Sequence, residues 1–304
     1  MVEERGAADC ALVEERGEAV NPRGERVGPR LGLNMHPRWV GGGTPGAFLF
    51  PLRELGLSVL EFGLNLTAPD WPEMDALIKA CHQLGFLLSF HAPFKGPHNP
   101  AGFSGPKRGE LESLYAPAMR YAAGFAEEMG PVSLVVHGAK GNRPREALRR
   151  DTAAFLTWIS QEWPDVRPSL ELLYRDENVV KVGDNKPELV ELVSGLGLAQ
   201  VGICWDMGHD ARNGSKPVPP GFLARVRHVH AHDVSPDGKD HCPLVFGNVP
   251  YARHLRRLGQ VGYGGTIILE VNGVRVCDLA TGRGKKPIEI LQDSFVELAR
   301  VISV

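Results

Sequence analysis

From Leu31 onward, short apolar runs alternate with longer mixed stretches. The short runs predict strands at Leu31–Met35, Ser58–Phe62, Phe86–His91, Val132–His137, Ser169–Leu173, Val201–Asp206, Val226–His232 and Thr266–Val271. The stretches between them predict helices over Pro45–Leu55, Pro72–Leu84, Glu110–Met129, Arg145–Glu162, Lys186–Leu196, Pro219–Ala224 and Tyr251–Leu258, and Pro287–Ile302 closes the chain. Gly56, Gly85, Gly130, Gly197 and Gly259 follow five of these helices, the usual C-terminal punctuation. Eight β-then-α units, about 35 residues apart, predict an α/β fold: one closed (β/α)8 barrel, a TIM barrel, over residues 31–304. An open doubly wound sheet is the alternative. The count of eight, and the lack of a Gly-rich phosphate loop after the first strand, argue against it.

Residues 1–30 stand apart. Val-Glu-Glu-Arg-Gly occurs at Val2–Gly6 and again at Val13–Gly17, with hardly a large apolar residue between. Such a segment buries too little surface to offset the entropy of ordering, so it reads as a mobile charged tail. A net charge of −2 gives no push toward nucleic acid or a membrane surface. The five cysteines (Cys10, Cys81, Cys204, Cys242, Cys277) are odd in number and form no C-x-x-C pair, which fits a reducing cytoplasm. No apolar run reaches the ~18 residues of a membrane span, and the N-terminus lacks the apolar core of a signal peptide.

Candidate chemistry gathers at the predicted strand ends, where barrels of this kind place their catalytic groups. Glu61 lies near the end of the second strand, His91 and His137 end the third and fourth, and the fifth carries Glu171. Asp206 ends the sixth, with His209 just beyond, and Glu270 lies on the eighth. The seventh carries His228, His230 and His232, whose alternation turns all three to one face. Asp237, Asp240 and His241 follow it. Chance polar caps would be mostly Ser, Thr, Asn, Lys and Gly. Glu, Asp and His are instead ligands of divalent metals, and buried carboxylates facing each other need a cation. By depth along the lumen, His230 is the histidine level with Glu171, Asp206 and Glu270; His228 then reads as a core residue and His232 as a rim group.

Glu171 in Ser-Leu-Glu-Leu-Leu, Asp206-Met-Gly-His209, His230-Ala-His-Asp233 and Glu270 in Ile-Ile-Leu-Glu-Val-Asn resemble the xylose-isomerase-like barrel superfamily, over nearly all of Leu31–Val304. That group includes sugar-phosphate isomerases and epimerases, inosose dehydratases and the endonuclease IV family of apurinic-site nucleases. The resemblance to the isomerase and epimerase members implies that Glu171, Asp206, His230 and Glu270 hold one Mn2+, Mg2+, Co2+ or Zn2+. The nuclease branch binds three zinc ions, and its further ligands match His91, His137, His209 and His241. That branch carries an Asp in its Asp-Arg-His motif where this chain has Lys239, and Glu-Asn-Thr-Ala-Gly where this chain has Glu171-Leu-Leu-Tyr-Arg. The segment from His241 through Gly247 and Pro250 to Gly262 looks more like the isomerase branch.

The expectation is a metal-dependent isomerase or epimerase acting on a sugar, sugar phosphate or polyol ketone through an enediolate. Glu171 and Glu270 would move the carbon-bound proton, with His209 binding a hydroxyl or sharing the proton work. Glu61, Lys140 and Arg175 would hold hydroxyls or a phosphate, and Trp39, Phe62, Phe94 and Phe246 would wall the sugar. The alternative is phosphodiester hydrolysis at damaged DNA, supported by basic loop residues Lys95, Lys107, Arg108, Lys140, Arg143, Arg145, Arg283, Lys285 and Lys286. The partner expected is therefore a small carbohydrate rather than nucleic acid, with room for a homo-oligomer. The stretch from Phe94 to Gly109, rich in Gly and Pro, reads as a mobile lid.

Overall fold

The computed structural model describes residues 28–40 and 43–302. The tail expected over residues 1–30 thus lies, as far as residue 27, outside the described residues. Eight strands form the frame: β1 (Arg30–Asn34), β2 (Leu57–Gly63), β3 (Leu87–His91), β4 (Val132–Val136), β5 (Val166–Glu171), β6 (Gly202–Asp206), β7 (Val226–Ala231) and β8 (Thr266–Leu269). Each pairs in parallel with its sequence neighbour. β8 pairs back onto β1 through Arg30 and Thr266, closing the barrel.

Strand alternation divides the barrel into two chemistries. Outward-facing Leu33, Leu60, Phe62, Phe90, Leu134, Leu170, Ile203, Trp205, Val229 and Leu269 join the apolar core under the helices. The last helix shows how the layer is sealed. Its apolar positions Ile290, Leu291, Phe295, Leu298 and Val301 fall on one buried face together with Ser294, while Asp293, Val296 and Arg300 stay exposed. The inward positions include Ser89, Glu61, Cys204, His228 and His230, so a polar column rather than an aliphatic plug occupies much of the lumen.

The departures from the expected elements are local. The helix expected over Glu110–Met129 is interrupted at Gly124, giving Arg108–Ala123 and Ala126–Met129. The one expected over Pro219–Ala224 shrinks to Phe222–Arg225, because three of the preceding five residues are prolines. β5 begins at Val166, not Ser169: Pro168 argues against a strand, yet it pairs with Leu134. Glu171 is in consequence the final residue of its strand. Short helices Met207–Arg212 and Gly273–Gly282, invisible as periodic patterns, follow β6 and β8. Each starts at a side-chain cap: Asp206 accepts from the His209 amide, and Asn272 from those of Val274 and Arg275. The expected lid is an anchored segment. Phe103 is fully buried against Phe155 and Trp158, and Asp151 accepts hydrogen bonds from the Gly102 and Ser104 amides and the Ser104 hydroxyl.

Outside β6 lies a buried ion pair. Lys186 Nζ is 2.6 and 2.7 Å from the two Asp210 oxygens, and the Trp205 indole donates to Asp210 at 3.0 Å. His254 packs on Trp205 with neither ring nitrogen hydrogen-bonded. Burial, together with nearby Lys186, Arg257 and Arg253, pushes His254 down to about 4. The unfolded chain takes up this proton near the ordinary value of 6.5. The contribution is therefore fully present above 6.5 and is lost as pH falls toward 4, because the unfolded state binds more protons there. Thermal unfolding should show a larger fall in Tm between pH 7 and pH 5 (about two units across that window) for the wild type than for His254→Gln.

Candidate metal centre

Glu171, Asp206, His230 and Glu270 come from four consecutive strands or their ends. One ligand atom from each lies within 4.8 Å of the other three. His230 Nδ1 is 3.1 Å from Glu270 Oε2, 3.7 Å from Glu171 Oε1 and 3.9 Å from Asp206 Oδ2. His230 Nδ1 and Glu270 Oε2 are both buried, and neither has a hydrogen-bond partner. Two buried polar atoms left in that state, amid two further carboxylates, are what a divalent cation would satisfy. Three oxygen ligands and one nitrogen suit Mn2+ or Mg2+ as well as Zn2+.

The opposite nitrogen of His230 is held from below. Its Nε2 is 2.9 Å from Glu61 Oε1, while His228 Nε2 lies 2.9 Å from Glu61 Oε2 and the Ser89 hydroxyl donates to the same oxygen. Burial alone would raise the Glu61 carboxyl, but the charge of His230 and His228 outweighs it and holds the group well below its usual range. Glu61 is thus an ionised clamp that aims Nδ1 of His230 at the ligand group. The sequence placed Glu61 among the substrate binders; it lines the cavity beside the ligand group, and its oxygens are engaged with the lumen histidines. The pattern His-x-His on one strand facing a lone buried Glu on another is the signal that could have revealed the clamp.

Besides Cys204, His228 and His230, which share His230 with the first group, two further groups adjoin it. His91, His137 and Glu171 form one; Asp206, His209, His232 and His241 form the other. His91 Nδ1 donates to the Ala92 carbonyl at 2.9 Å and its Nε2 donates to Glu171 Oε2 at 3.3 Å, and His137 Nε2 is 2.8 Å from the same oxygen. His209 Nδ1 donates to the Leu172 carbonyl, leaving its Nε2 with the lone pair. His241 sits at φ 53, a left-handed conformation uncommon for a side-chain-bearing residue. That turn sets its Nδ1 3.1 Å from Asp240 and its Nε2 3.4 Å from Glu270. Burial disfavours charge on His230 and His241, but nearby groups, chief among them Cys204 and Glu270 for His230 and Glu270 for His241, raise both rings well above the ordinary value. Protons on these rings thus neutralise the carboxylate cluster in part, and a divalent ion would have to displace the one on His230 Nδ1.

Other expected residues fall elsewhere. His232 is no rim group: it is fully buried, with Nε2 3.0 Å from Asp206 Oδ1. Its Nδ1 accepts the His241 amide at 2.9 Å, so the ring proton belongs on Nε2 and points at Asp206. Trp39 packs toward Phe48 and Gly273, Phe62 lies in the outer core, and Arg175 is directed toward Asp184 at 3.9 Å. None of the three, nor Phe246, lines the cavity beside the ligand group. Lys140 reaches the Phe94 carbonyl at 3.5 Å, and Phe94 packs on the His137 and His91 rings. Sequence reasoning missed Asp233, a fully buried carboxylate that accepts the amides of Val234, Phe246, Gly247, Asn248 and Val249.

Gly208 shows how tightly the second group is built. A Cβ on it would overlap the His232 ring. Gly208→Ala should push that ring off Asp206 and weaken metal affinity by about 10- to 100-fold, as losses of supporting contacts around a metal typically do. A metal titration followed by calorimetry checks this.

A family model described as xylose isomerase-like TIM barrel matches residues 51–294. The chain belongs to this family. Among relatives, an uncharacterized protein of Methanocaldococcus jannaschii is 25% identical over 225 residues, 69% of this chain and 73% of that one. Among solved structures, a D-tagatose 3-epimerase-like protein aligns at 20% identity with TM-score 0.62, covering 90% of this chain and 100% of its own. D-Psicose 3-epimerase from Clostridium cellulolyticum H10 aligns at 14% identity with TM-score 0.64, covering 90% and 99%. An AP endonuclease, family 2, from Brucella melitensis aligns at 17% with TM-score 0.55, covering 80% and 93%. At these identities the structural likenesses speak for the fold. No helix among the described residues is long and apolar enough to cross a membrane.

Proposed function

We propose that the protein is a divalent-metal-dependent isomerase or epimerase of a small hydroxy-ketone sugar or sugar phosphate. The observation that carries this reading is where the ligand group opens. It borders a cavity of about 410 Å3, lined by Glu61, Trp71, His91, Phe94, Lys95 and Glu270 among others. That volume is within the range of small-molecule sites. Apolar Trp71 and Phe94 offer a wall for carbon-bound hydrogens, and Lys95 offers a cation to a hydroxyl or phosphate. When bound, a divalent ion would polarise the carbonyl and adjacent hydroxyl of the substrate.

Glu270 is the carboxylate of the ligand group that lines this cavity, while Glu171 is enclosed by His91, His137 and His209. Glu270 is therefore assigned the carbon-bound proton, with Glu171 returning a proton from the other side. His209 Nε2, its lone pair free, is assigned to a substrate hydroxyl. The epimerases among the structural neighbours are in keeping with this assignment, and a carbohydrate partner follows from it.

One observation favours a second reading. Glu171 is common to the first ligand group and that of His91 and His137, and Asp206 to the first and that of His209, His232 and His241, as bridging carboxylates are in multinuclear phosphoester hydrolases. Against it, part of the basic rim is consumed within the chain. Arg143 pairs with Asp151, Arg145 with Asp184 and Glu188, Arg108 with Glu112 and Lys285 with Asp293. A backbone-binding surface needs those charges free. The test is metal-dependent incorporation of solvent deuterium into candidate ketoses, run beside cleavage of abasic-site DNA and a count of metal ions per chain. Exchange without cleavage is the expected result. Cleavage with about three Zn2+ bound and no exchange replaces the isomerase reading with the hydrolase one.

A further inference from the structure

The truncated helix Phe222–Arg225 leaves the outside of the barrel thinly covered between β6 and the helix Tyr251–Gln260. A cleft of about 2060 Å3 occupies this gap, and it reaches the starts of β4, β5, β7 and β8. It is far from the ligand group in the fold, which sits at the opposite ends of the strands. Arg167, Lys216, Arg227, Arg253 and Arg257 line it, and no Asp or Glu is among the described residues that do. None of these five cations makes an ion pair among the described residues. Arg145, Arg143, Arg212 and Lys186 elsewhere each meet a carboxylate. What sets this cleft apart is that five unmatched cations line one concave surface.

His254 adds an independent observation. It lines the same cleft at 4% exposure, and both its ring nitrogens lack a hydrogen-bond partner. Burial, with the nearby charges of Lys186 from the helix before β6 and of Arg257 and Arg253 on its own helix, keeps that ring neutral; Lys186 is itself held by Asp210, whose Oδ2 lies 3.9 Å from His254 Nε2. A concave surface with one sign of charge concentrates counter-ions, and arginine presents a planar fork that fits phosphate oxygens.

We propose that this cleft binds a small ligand carrying two or more linked phosphates. Arg253 and Arg257 grip the phosphates, His254 reaches one oxygen at the inner wall, and the Pro217–Pro220 segment forms the stiff opposite side. A nucleic-acid duplex would not reach so deeply placed a ring. A second copy of the chain, docked face to face, would bring the same unmatched cations against each other.

The probe is inorganic tripolyphosphate supplied as its magnesium complex, so that it does not strip metal from the mouth of the barrel. Calorimetry on the full chain should show saturable binding. The double variant Arg253→Ala/Arg257→Ala should weaken it at least about tenfold, each lost charge-assisted contact being worth that much or more. Its Tm without ligand should match the wild type, since neither arginine has a partner to lose; Arg227→Ala provides a second, independent reduction in affinity. Glu270→Gln should leave the binding unchanged, which separates this site from the one at the mouth. Magnesium ATP binding more tightly than tripolyphosphate identifies a nucleotide as the source of the phosphates, and equal binding identifies the phosphates alone as what is read. The proposal is overturned by absence of saturable binding, by binding that survives both arginine variants, or by binding lost in Glu270→Gln. Tighter binding of a short single-stranded oligonucleotide through the same arginines would overturn it in favour of a nucleic-acid surface.

Discussion

Glu270→Gln should leave deuterium exchange into the substrate ketose reduced by about 10²- to 10⁴-fold even at saturating metal, the usual contribution of a positioned proton-transfer group. The substitution removes two things at once. It neutralises one oxygen ligand 3.1 Å from His230 Nδ1, and it removes the one carboxylate of the group that borders the cavity. The first loss is a matter of affinity, and added metal restores occupancy by mass action. The second is not restored. Asp206→Asn is the matched control. Asp206 is fully buried and does not line the cavity, so its loss should weaken metal binding while activity recovers as metal is raised. Wild-type protein should also gain about 2.7 kcal/mol of stability at a metal concentration 100 times Kd, seen as a rising Tm. If Glu270→Gln recovers with metal as fully as Asp206→Asn, Glu270 is a ligand only, and the proton falls to another group.

The second large effect concerns folding. Asp233→Ala should cost about 3 kcal/mol or more and should release the segment from His241 to Val249. Asp233 accepts backbone amides from Phe246, Gly247, Asn248 and Val249 at 2.7 to 3.1 Å, together with that of Val234. Hydrogen bonds to an ionised group are worth about 1.5–3 kcal/mol each, and deleting the acceptor leaves several buried donors with nothing to bond. Asp233 and Cys242 also pair through their backbones, so the carboxylate and this bridge together close the loop that carries His241. Asp233→Asn keeps an acceptor oxygen and should lose less. Denaturant unfolding gives the stability difference. Amide exchange across residues 241–249, fast in Asp233→Ala and slow in the wild type, tests whether the loss is confined to this loop. A uniform rise in exchange over all eight strands would instead place Asp233 in the global core.

The barrel was legible because its signal is local and repeated. Each strand is a short apolar run, and each crossover helix ends at glycine or opens at proline. The ranges Arg145–Glu162, Lys186–Leu196 and Pro287–Ile302 need no adjustment against the structure. Strand ends were legible for the same reason; depth singled out His230 among the histidines of its strand, the family resemblance supplied the set Glu171, Asp206, His230 and Glu270, and the fold brings one ligand atom of each together. What alternation along one strand cannot say is what stands across the lumen. That Glu61 holds His230 and His228, that His232 is tied to Asp206 rather than exposed at the rim, and that Arg145 of the rim faces Asp184 and Glu188 are all decided by contacts between residues far apart in sequence. The same holds for the anchored segment at Phe94–Gly109, where composition suggested mobility and one buried phenylalanine and one buried aspartate hold it down. Sequence by itself determined which residues lie at the mouth of the barrel, because strand periodicity and chain order settle depth and face. Only the tertiary structure decided which of them are free to meet a ligand, because hydrogen bonding and ion pairing depend on distance in space and not on spacing along the chain.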